Sequence, residues 1–415
     1  MMIRKTLRIL QVSSGEVRIP AKFGGGIEAR ILEMSEHLKR LSHQVTIVDR
    51  LYNRQDAAVE YFNNVKIIRI RAPVVNLRFA SAVPRIGKFA LLIEHIVNQV
   101  IYALILSRVI QNMNFDVINI HNAVAALTFA TISRNMRNKI VFSSHTARRS
   151  ILRPGILDRI ALMWENRLLT LIPKITVNSE FIRARLIQDT HISPHKVHVI
   201  PEGIDVEVYQ AEPMKNSQAS PIHQPRESIV LFVGRVTPVK GVDRIAEAAF
   251  ILVRRLNQRS VRFVICGPLL EFGAPVRRSL YFEHIMRFVH ENGLDSYVTF
   301  TGPVSIDRLK NLYSQADIFV LPSLFETSPS AIREAMAFGK PVIASNTGDI
   351  PTYVKNGETG FLITPGNAEE LAMRIQYLLT HAIDRTRMGA NARSLVVEKF
   401  DWSKVIERLV AVYNI

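Results

Sequence analysis

One cysteine, Cys266, stands in a chain of 415 residues. A single thiol forms no disulfide within its own chain, which fits a reducing compartment. Set inside the apolar run "VRFVICG", it reads as a small buried hydrophobe. No Cys/His spacing or Asp-x-Asp site at a strand end suggests a bound metal. No stretch is long, apolar and uncharged enough to be read as crossing a bilayer. The opening "MMIRKTLRILQVSS" starts with positive charge, but its apolar run is short and without a cleavage pattern, so it reads as a first β-strand. Low-complexity tracts are missing, and so is the spaced G-x-G-x-x-G of a nicotinamide site.

Acidic residues are scarce in one half only. Residues 1–200 hold 29 Lys and Arg against 13 Asp and Glu, an excess of 16. Residues 201–415 hold 24 against 23, an excess of 1. The basic half suggests an anionic partner such as phospholipid headgroups, a phosphorylated acceptor or nucleic acid, set against ordinary solubility charge. Nucleic acid has nothing else in its favour, because the first half lacks interleaved aromatics and recognisable binding modules.

What is present is a rhythm. Short Val/Ile-rich segments, "RILQVS", "QVTIVD", "VKIIRI", "FDVINI", "KIVFSS" and "KITVNS", alternate with helical patterns such as 27–41, where Ile27, Ile31, Met34 and Leu38 share a face. The polar, aperiodic stretch "YQAEPMKNSQASPIHQPRES" (209–228) interrupts the pattern as a linker would. The rhythm then restarts with "IVLFVG", "VRFVICG", "YVTFTG", "DIFVLPS", "KPVIAS" and "TGFLIT". The expected fold is α/β, two doubly wound, Rossmann-like parallel sheets. Ligands would sit beyond the strands' carboxyl ends, in a cleft between the two domains.

Three segments carry candidate chemistry. In "FETSPSAIREAMAFGKPVIAS" (325–345), Glu326 and Glu334 lie eight positions apart around an expected helix start, with Ser328 as N-cap, Pro329 as first helical residue and Gly339 as stop. Backbone N–H groups at 328–331, including Ser330 and Ala331, would suit a phosphate, and each carboxylate could accept from vicinal sugar hydroxyls. In "LFVGRVTPVKGVDRIAEA" (231–248), Arg235 and Lys240 flank a strand-to-helix loop and could neutralise a diphosphate, or be plain solvated cations. In "KFGGGIEARILEMSEHLKRLSHQVTIV" (22–48), a glycine run lets backbone approach a ligand, or is simply a flexible loop.

Together with "VNSEFIRARL", "KVHVIPEGIDVEVY" and "FDWSKVIERLVAVY", these segments resemble the retaining family 4 glycosyltransferases of the GT-B fold, nearly from end to end. The resemblance implies an N-terminal acceptor-binding domain over 1–210, a C-terminal nucleotide-sugar-binding domain over 211–400, and a last helix, 401–415, crossing back to the first domain. It implies that Glu334 holds the nucleotide's ribose and Glu326 the donor sugar, and that Arg235 and Lys240 hold the diphosphate. Gly25 and Gly26 would line the site from the first domain. His145, in "VFSSHTARRS", matches a family histidine near the reacting sugar, and the acceptor is expected against His145, Thr146 and Arg149; His121, in "INIHN", is a weaker candidate. Glu202 stands where the family commonly has an asparagine. No cofactor and no metal is implied. The expected reaction moves a hexose from a UDP- or GDP-sugar to a sugar, lipid or lipid-phosphate acceptor with retention, with Glu326, His145, Arg235 and Lys240 at the reacting centre. The rival readings are a GT-B epimerase, which needs no acceptor, and a phosphorylase, which needs lysine-bound pyridoxal phosphate.

One segment bears on location. In 76–114, Arg78, Arg85 and Lys88 precede a helical stretch whose Leu92, Ile93, Ile96, Val100 and Leu104 share one face, with Glu94, His95, Asn98 and Gln99 on the other. It reads either as a helix covering the first sheet or as a membrane-interface helix. The expected location is the cytoplasm, with loose attachment to the inner face of an anionic membrane as the further possibility.

Overall fold

The computed structural model describes residues 6–20, 26–53, 55–76, 87–111, 113–145, 166, 169–209, 227–269 and 280–414. Gly25, Thr146, Arg149, Arg78, Arg85, the Lys88 side chain and most of the expected linker lie outside them. The chain forms two compact units, 1–201 with 405–415, and 202–404.

The first unit is built on strands β1 (Arg8–Val12), β2 (Gln44–Arg50), β3 (Val59–Phe62), β4 (Val65–Ile70), β5 (Val117–Ile120), β6 (Ile140–Ser144), β7 (Lys174–Val177) and β8 (Val197–Val199). They run in the order β3-β4-β2-β1-β5-β6-β7-β8. All pair in parallel except β3, which folds back antiparallel on β4 at the edge. The central strands are buried along their length, as β1 and β5 show, because helices pack on the sheet. These helices include α1 (Gly26–Arg40), α2 (Gly87–Ile110), α3 (Ala123–Ile132) and α4 (Glu180–Thr190). Asn122 and Ser179 cap α3 and α4 by accepting from the N–H groups of Ala125 and Ile182.

Helix α2 lies with its amide-bearing side inward. Asn98 and Gln99 are buried with Tyr102, Ala103, Leu106 and Ile110, while Ile93, Ile96 and Leu104 are exposed. The inward amides find partners from elsewhere in the chain: Asn98 Oδ1 accepts from Val75 N at 2.8 Å, and Gln99 Nε2 donates to Ser14 O at 3.1 Å, while Gln99 Oε1 is buried without a donor among the described residues. By length and composition Ile93–Ile110 could cross a membrane, although Glu94 and Arg108 lie within it and its inner side belongs to the sheet's core.

The second unit holds β9 (Ser228–Val233), β10 (Val261–Cys266), β11 (Val298–Gly302), β12 (Ile318–Leu321), β13 (Val342–Ser345) and β14 (Gly360–Ile363), all parallel, in the order β11-β10-β9-β12-β13-β14. Its helices include α5 (Val242–Phe250), α6 (Leu280–Glu291), α7 (Ile306–Gln315), α8 (Ser330–Ala337), α9 (Ile350–Tyr353), α10 (Ala368–Thr380), α11 (Ala382–Lys399) and the first residues of α12 (Trp402–Asn414). The winding reverses between β9 and β12, which opens a crevice beyond their carboxyl ends. Cys266 is buried at the end of β10, and burial pushes its thiol up.

The unit begins at Glu202 rather than after residue 210, and the sequence around Gly203 shows why. A Cβ there would lie 2.3 Å from the Trp402 ring, so only glycine lets the chain pass. Ile204 then exchanges backbone hydrogen bonds with Phe400 and Trp402 at 2.8 and 3.1 Å. From Val405 onward, α12 groups with the first unit.

Candidate functional site

At the reversal of the second sheet lies a cavity of about 370 Å³. Its walls come from the end of β9 (Gly234, Arg235), the following loop (Lys240), the end of β12 (Leu321), the start of α8 (Pro329, Ser330, Ala331) and Glu334. Two cations, one acid and the amino end of a helix thus share one space.

Two close backbone approaches place Lys240 and Glu326. Gly241 has φ +66°, and a Cβ there would stand 2.2 Å from the Pro322 carbonyl oxygen. That contact draws the Lys240 loop against the end of β12. Gly348, at φ +52°, would likewise drive a Cβ to 1.9 Å from the Glu326 carbonyl oxygen. With both backbones that close, Lys240 Nζ meets Glu326 Oε1 at 2.5 Å. Glu326 is only 8% exposed, and the same oxygen accepts from Ser323 Oγ at 2.8 Å.

Helix α8 starts one residue later than the sequence suggested. Pro329 occupies the cap position and Ser330 opens the helix. The Ser328 side chain is used elsewhere: Arg333 Nη1 donates to its hydroxyl at 3.1 Å, and Tyr353 Oη lies 3.2 Å away. The Ser328 backbone sits at φ +116°, sparsely populated for a residue with a Cβ. Arg333 Nη2 also pairs with Glu202 Oε2 at 2.6 Å. At the far end Gly339, at φ +67°, terminates the helix as its position implied.

Glu334 is half-buried and faces the cavity. Burial pushes its carboxyl up; the hydroxyls of Tyr313 and Ser330 and the charge of Arg333 act against that by favouring the ionised form.

The first unit carries its own polar cluster beyond the ends of β1, β5 and β6. Arg30 Nη1 lies 2.5 Å from His145 Nδ1, His145 Nε2 lies 2.7 Å from His121 Nδ1, and His121 Nε2 lies 2.8 Å from Gln11 Oε1. One set of tautomers satisfies this chain. Gln11 Oε1 already accepts from Asn119 Nδ2 at 3.0 Å, so His121 Nε2 carries hydrogen and donates to it. Neutral His121 then accepts at Nδ1 from His145 Nε2–H, and His145 Nδ1 accepts from Arg30. Burial, reinforced by the Arg30 charge, brings His121 down to about 3 and holds His145 well below the usual imidazole range. Both imidazoles are therefore neutral at pH 7. Tyr413, near the end of α12, closes the cluster by accepting from Asn119 Nδ2 at 3.0 Å and Gln11 Nε2 at 3.4 Å.

Sequence comparison bears on the family. Residues 24–208 match the profile of Glycosyltransferase Family 4, and residues 214–395 that of Glycosyl transferases group 1. Between them they cover most of both units. The chain belongs to these glycosyltransferases. A D-inositol 3-phosphate glycosyltransferase of Rhodococcus opacus is 28% identical over 241 residues, which is 58% of this chain and 53% of that protein. The chain thus spans about half the length of that relative. Sucrose-phosphate synthase from Thermosynechococcus elongatus superposes with a TM-score of 0.76 at 22% identity, over 98% of each chain. Anabaena HepE, solved with UDP-glucose, gives 0.68 at 21% identity, over 98% of this chain and 99% of that one. The fold is GT-B.

Of the residues singled out in this glycosyltransferase, Arg235, Lys240, Ser330, Ala331 and Glu334 line one cavity, and Glu326 joins them through Lys240. Ser328 lies behind, in the Arg333 cluster. Gly26 opens α1, and a Cβ added there would meet nothing within 4 Å, so close approach does not demand glycine at that position. His145 has both ring nitrogens engaged, by Arg30 and His121. Sequence reading missed Tyr313, Gln11, Arg30 and Tyr413. Each acts through a partner distant in the chain, so no local motif marks it. Among the described residues, no three His, Cys, Asp or Glu side chains gather as a metal site.

Proposed function

We propose that this glycosyltransferase moves a hexose from a UDP- or GDP-sugar to a sugar, lipid or lipid-phosphate acceptor, with retention at the anomeric carbon. The observation that carries the proposal is the convergence of Arg235, Lys240, the start of α8 and Glu334 on one cavity at the sheet's reversal. In this reading the diphosphate lies against the two cations and the α8 N–H groups, the ribose diol against Glu334, and the sugar hydroxyls near Glu326. The glycosidic carbon–oxygen bond breaks, and its electron pair passes to the diphosphate, where Arg235, Lys240 and the helix end stabilise the charge. Well-placed donors of this kind contribute roughly 3–4 kcal/mol each. The acceptor oxygen bonds to the same face of the anomeric carbon and gives its proton to the departing phosphate oxygen, so no protein nucleophile and no metal is required. The Anabaena complex with UDP-glucose favours a uridine donor, and the Rhodococcus relative's name favours a free hydroxyl of a phosphorylated polyol as acceptor.

The same proposal sets the chain in the cytoplasm, on the inner face of a membrane. The outward apolar residues of α2 and the 16-charge excess of residues 1–200 support it.

A thermal-shift screen with UDP-, GDP- and ADP-sugars tests the donor site. A ligand at a hundredfold excess over its Kd stabilises by about 2.7 kcal/mol. Lys240→Ala and Glu334→Ala should abolish transfer in folded protein; full activity in either refutes the assignment. Release of free sugar and nucleotide without an acceptor would favour an epimerase instead.

A further inference from the structure

Glu334 is the acid that the proposed function gives to the ribose, and what holds it is a tyrosine on another helix. Tyr313, on α7, is fully buried. Its ring stacks on Phe338 with centroids 5.6 Å apart and planes 13° from parallel, and lies 5.9 Å from Phe319. Packing against these two rings fixes the tyrosine ring and hence the direction of its hydroxyl. That hydroxyl donates to Glu334 Oε2 at 2.7 Å. The nearby Ser330 hydroxyl also favours the ionised form of that carboxylate.

An ionised carboxylate offers about four acceptor positions. Tyr313 takes one of them. Enough remain for the two hydroxyls of a vicinal diol. Without the tyrosine hydroxyl, the carboxylate turns about its own bond, and one of its lone pairs is left without a donor in a half-buried setting.

We infer that Tyr313 is a positioning residue for the nucleotide's ribose: its packed ring and 2.7 Å hydrogen bond hold Glu334 with two acceptor positions facing the ribose diol. This rests on the donor-site reading above. Tyr313 touches no substrate, and its effect is transmitted wholly through Glu334. Discrimination between a ribose and a 2′-deoxyribose nucleotide therefore depends on a residue outside the segment that carries Glu326 and Glu334.

The test measures binding of UDP, GDP and their 2′-deoxy forms by calorimetry to the full chain, in wild type, Tyr313→Phe and Glu334→Gln. Wild type should favour the ribo form roughly tenfold or more, the worth of a hydrogen bond to a charged group. Tyr313→Phe keeps the ring stack and should reduce that preference to about twofold, with donor KM raised roughly tenfold and kcat changed far less. Tyr313→Met, which also lacks the hydroxyl but packs differently, should lose the preference too, so that a folding defect in one variant does not decide the matter. A wild-type ribo preference retained in either tyrosine variant, whatever happens to its stability, overturns the inference. If Glu334→Gln keeps the full preference, or wild type shows none, the ribose assignment itself fails, and Tyr313 with it. Loss of preference in Glu334→Gln but not in Tyr313→Phe leaves the donor site standing and removes only the tyrosine's part.

Discussion

Arg333→Met removes the charge at the centre of the second unit's buried ionic cluster and keeps much of the side chain's volume. The Arg333 side chain is 3% exposed and that of Glu202 12%, with 2.6 Å between Nη2 and Oε2. The guanidinium also donates to Ser328 Oγ and Tyr353 Oη, both at 3.1 Å, and lies 5.3 Å from the centre of the Tyr353 ring. Methionine gives up every one of these hydrogen bonds and withdraws the counter-charge from a nearly buried carboxylate. Breaking a buried pair from one side costs about 3–5 kcal/mol. At about 2–4 °C per kcal/mol for a unit of roughly this size, the melting temperature should fall by about 6–20 °C. Glu202→Leu combined with Arg333→Met should recover most of the loss, because an apolar pair has no charge to desolvate. The double variant should still have a weakened donor site, since Ser328 at φ +116° loses the hydrogen bond from Arg333 that supports it. Urea and thermal unfolding followed by circular dichroism give the four corners of the cycle. A loss below about 1 kcal/mol in Arg333→Met, or a double variant as unstable as the sum of the singles, refutes the reasoning. The pair also accounts for Glu202, a departure from the family's common asparagine: the buried cation at position 333 calls for a carboxylate opposite.

Two further predictions concern the first unit. His121 sits at about 3 in the folded chain against about 6.5 unfolded, so its contribution to stability is complete above pH 6.5 and is lost as pH falls. The loss at pH 5 should be about 2 kcal/mol, and His121→Asn should flatten that acid limb; an unchanged pH–stability curve in the variant counts against a buried neutral imidazole. Protein mixed with anionic liposomes should float at low salt and detach as salt rises, and Ile96→Glu should weaken flotation without lowering the melting temperature, because Ile96 is exposed; no flotation at low salt rejects the membrane reading.

Much of the fold was legible because its signals are local. Val/Ile-rich segments separated by helical periodicity specify buried parallel strands wherever they occur, and Gly339 stops its helix through its own backbone freedom. The edge strands β3 and β8 were harder to read. At four and three residues they are too short for a pattern, and β3 alternates between half-buried and exposed positions. Helix α2 was legible as a helix but not in its orientation. Its apolar stripe suggests one inward face, yet Asn98 and Gln99 turn inward because Val75 and Ser14 offer them hydrogen-bond partners from elsewhere in the chain.

The same division runs through the site. By itself the sequence determined which residue types stand at the strand ends: the two cations after β9, the two acids around α8, and the glycines that let backbone pass. Only the tertiary structure decided which of them meet. Lys240 reaches Glu326 because Gly241 and Gly348 let backbones from separate loops come within contact distance. Glu334 owes its donor to a tyrosine 21 positions earlier, and His121 owes its tautomer to Gln11, 110 positions away. Hydrogen bonds act over about 3 Å of space regardless of separation along the chain, so such partners leave no periodicity to read.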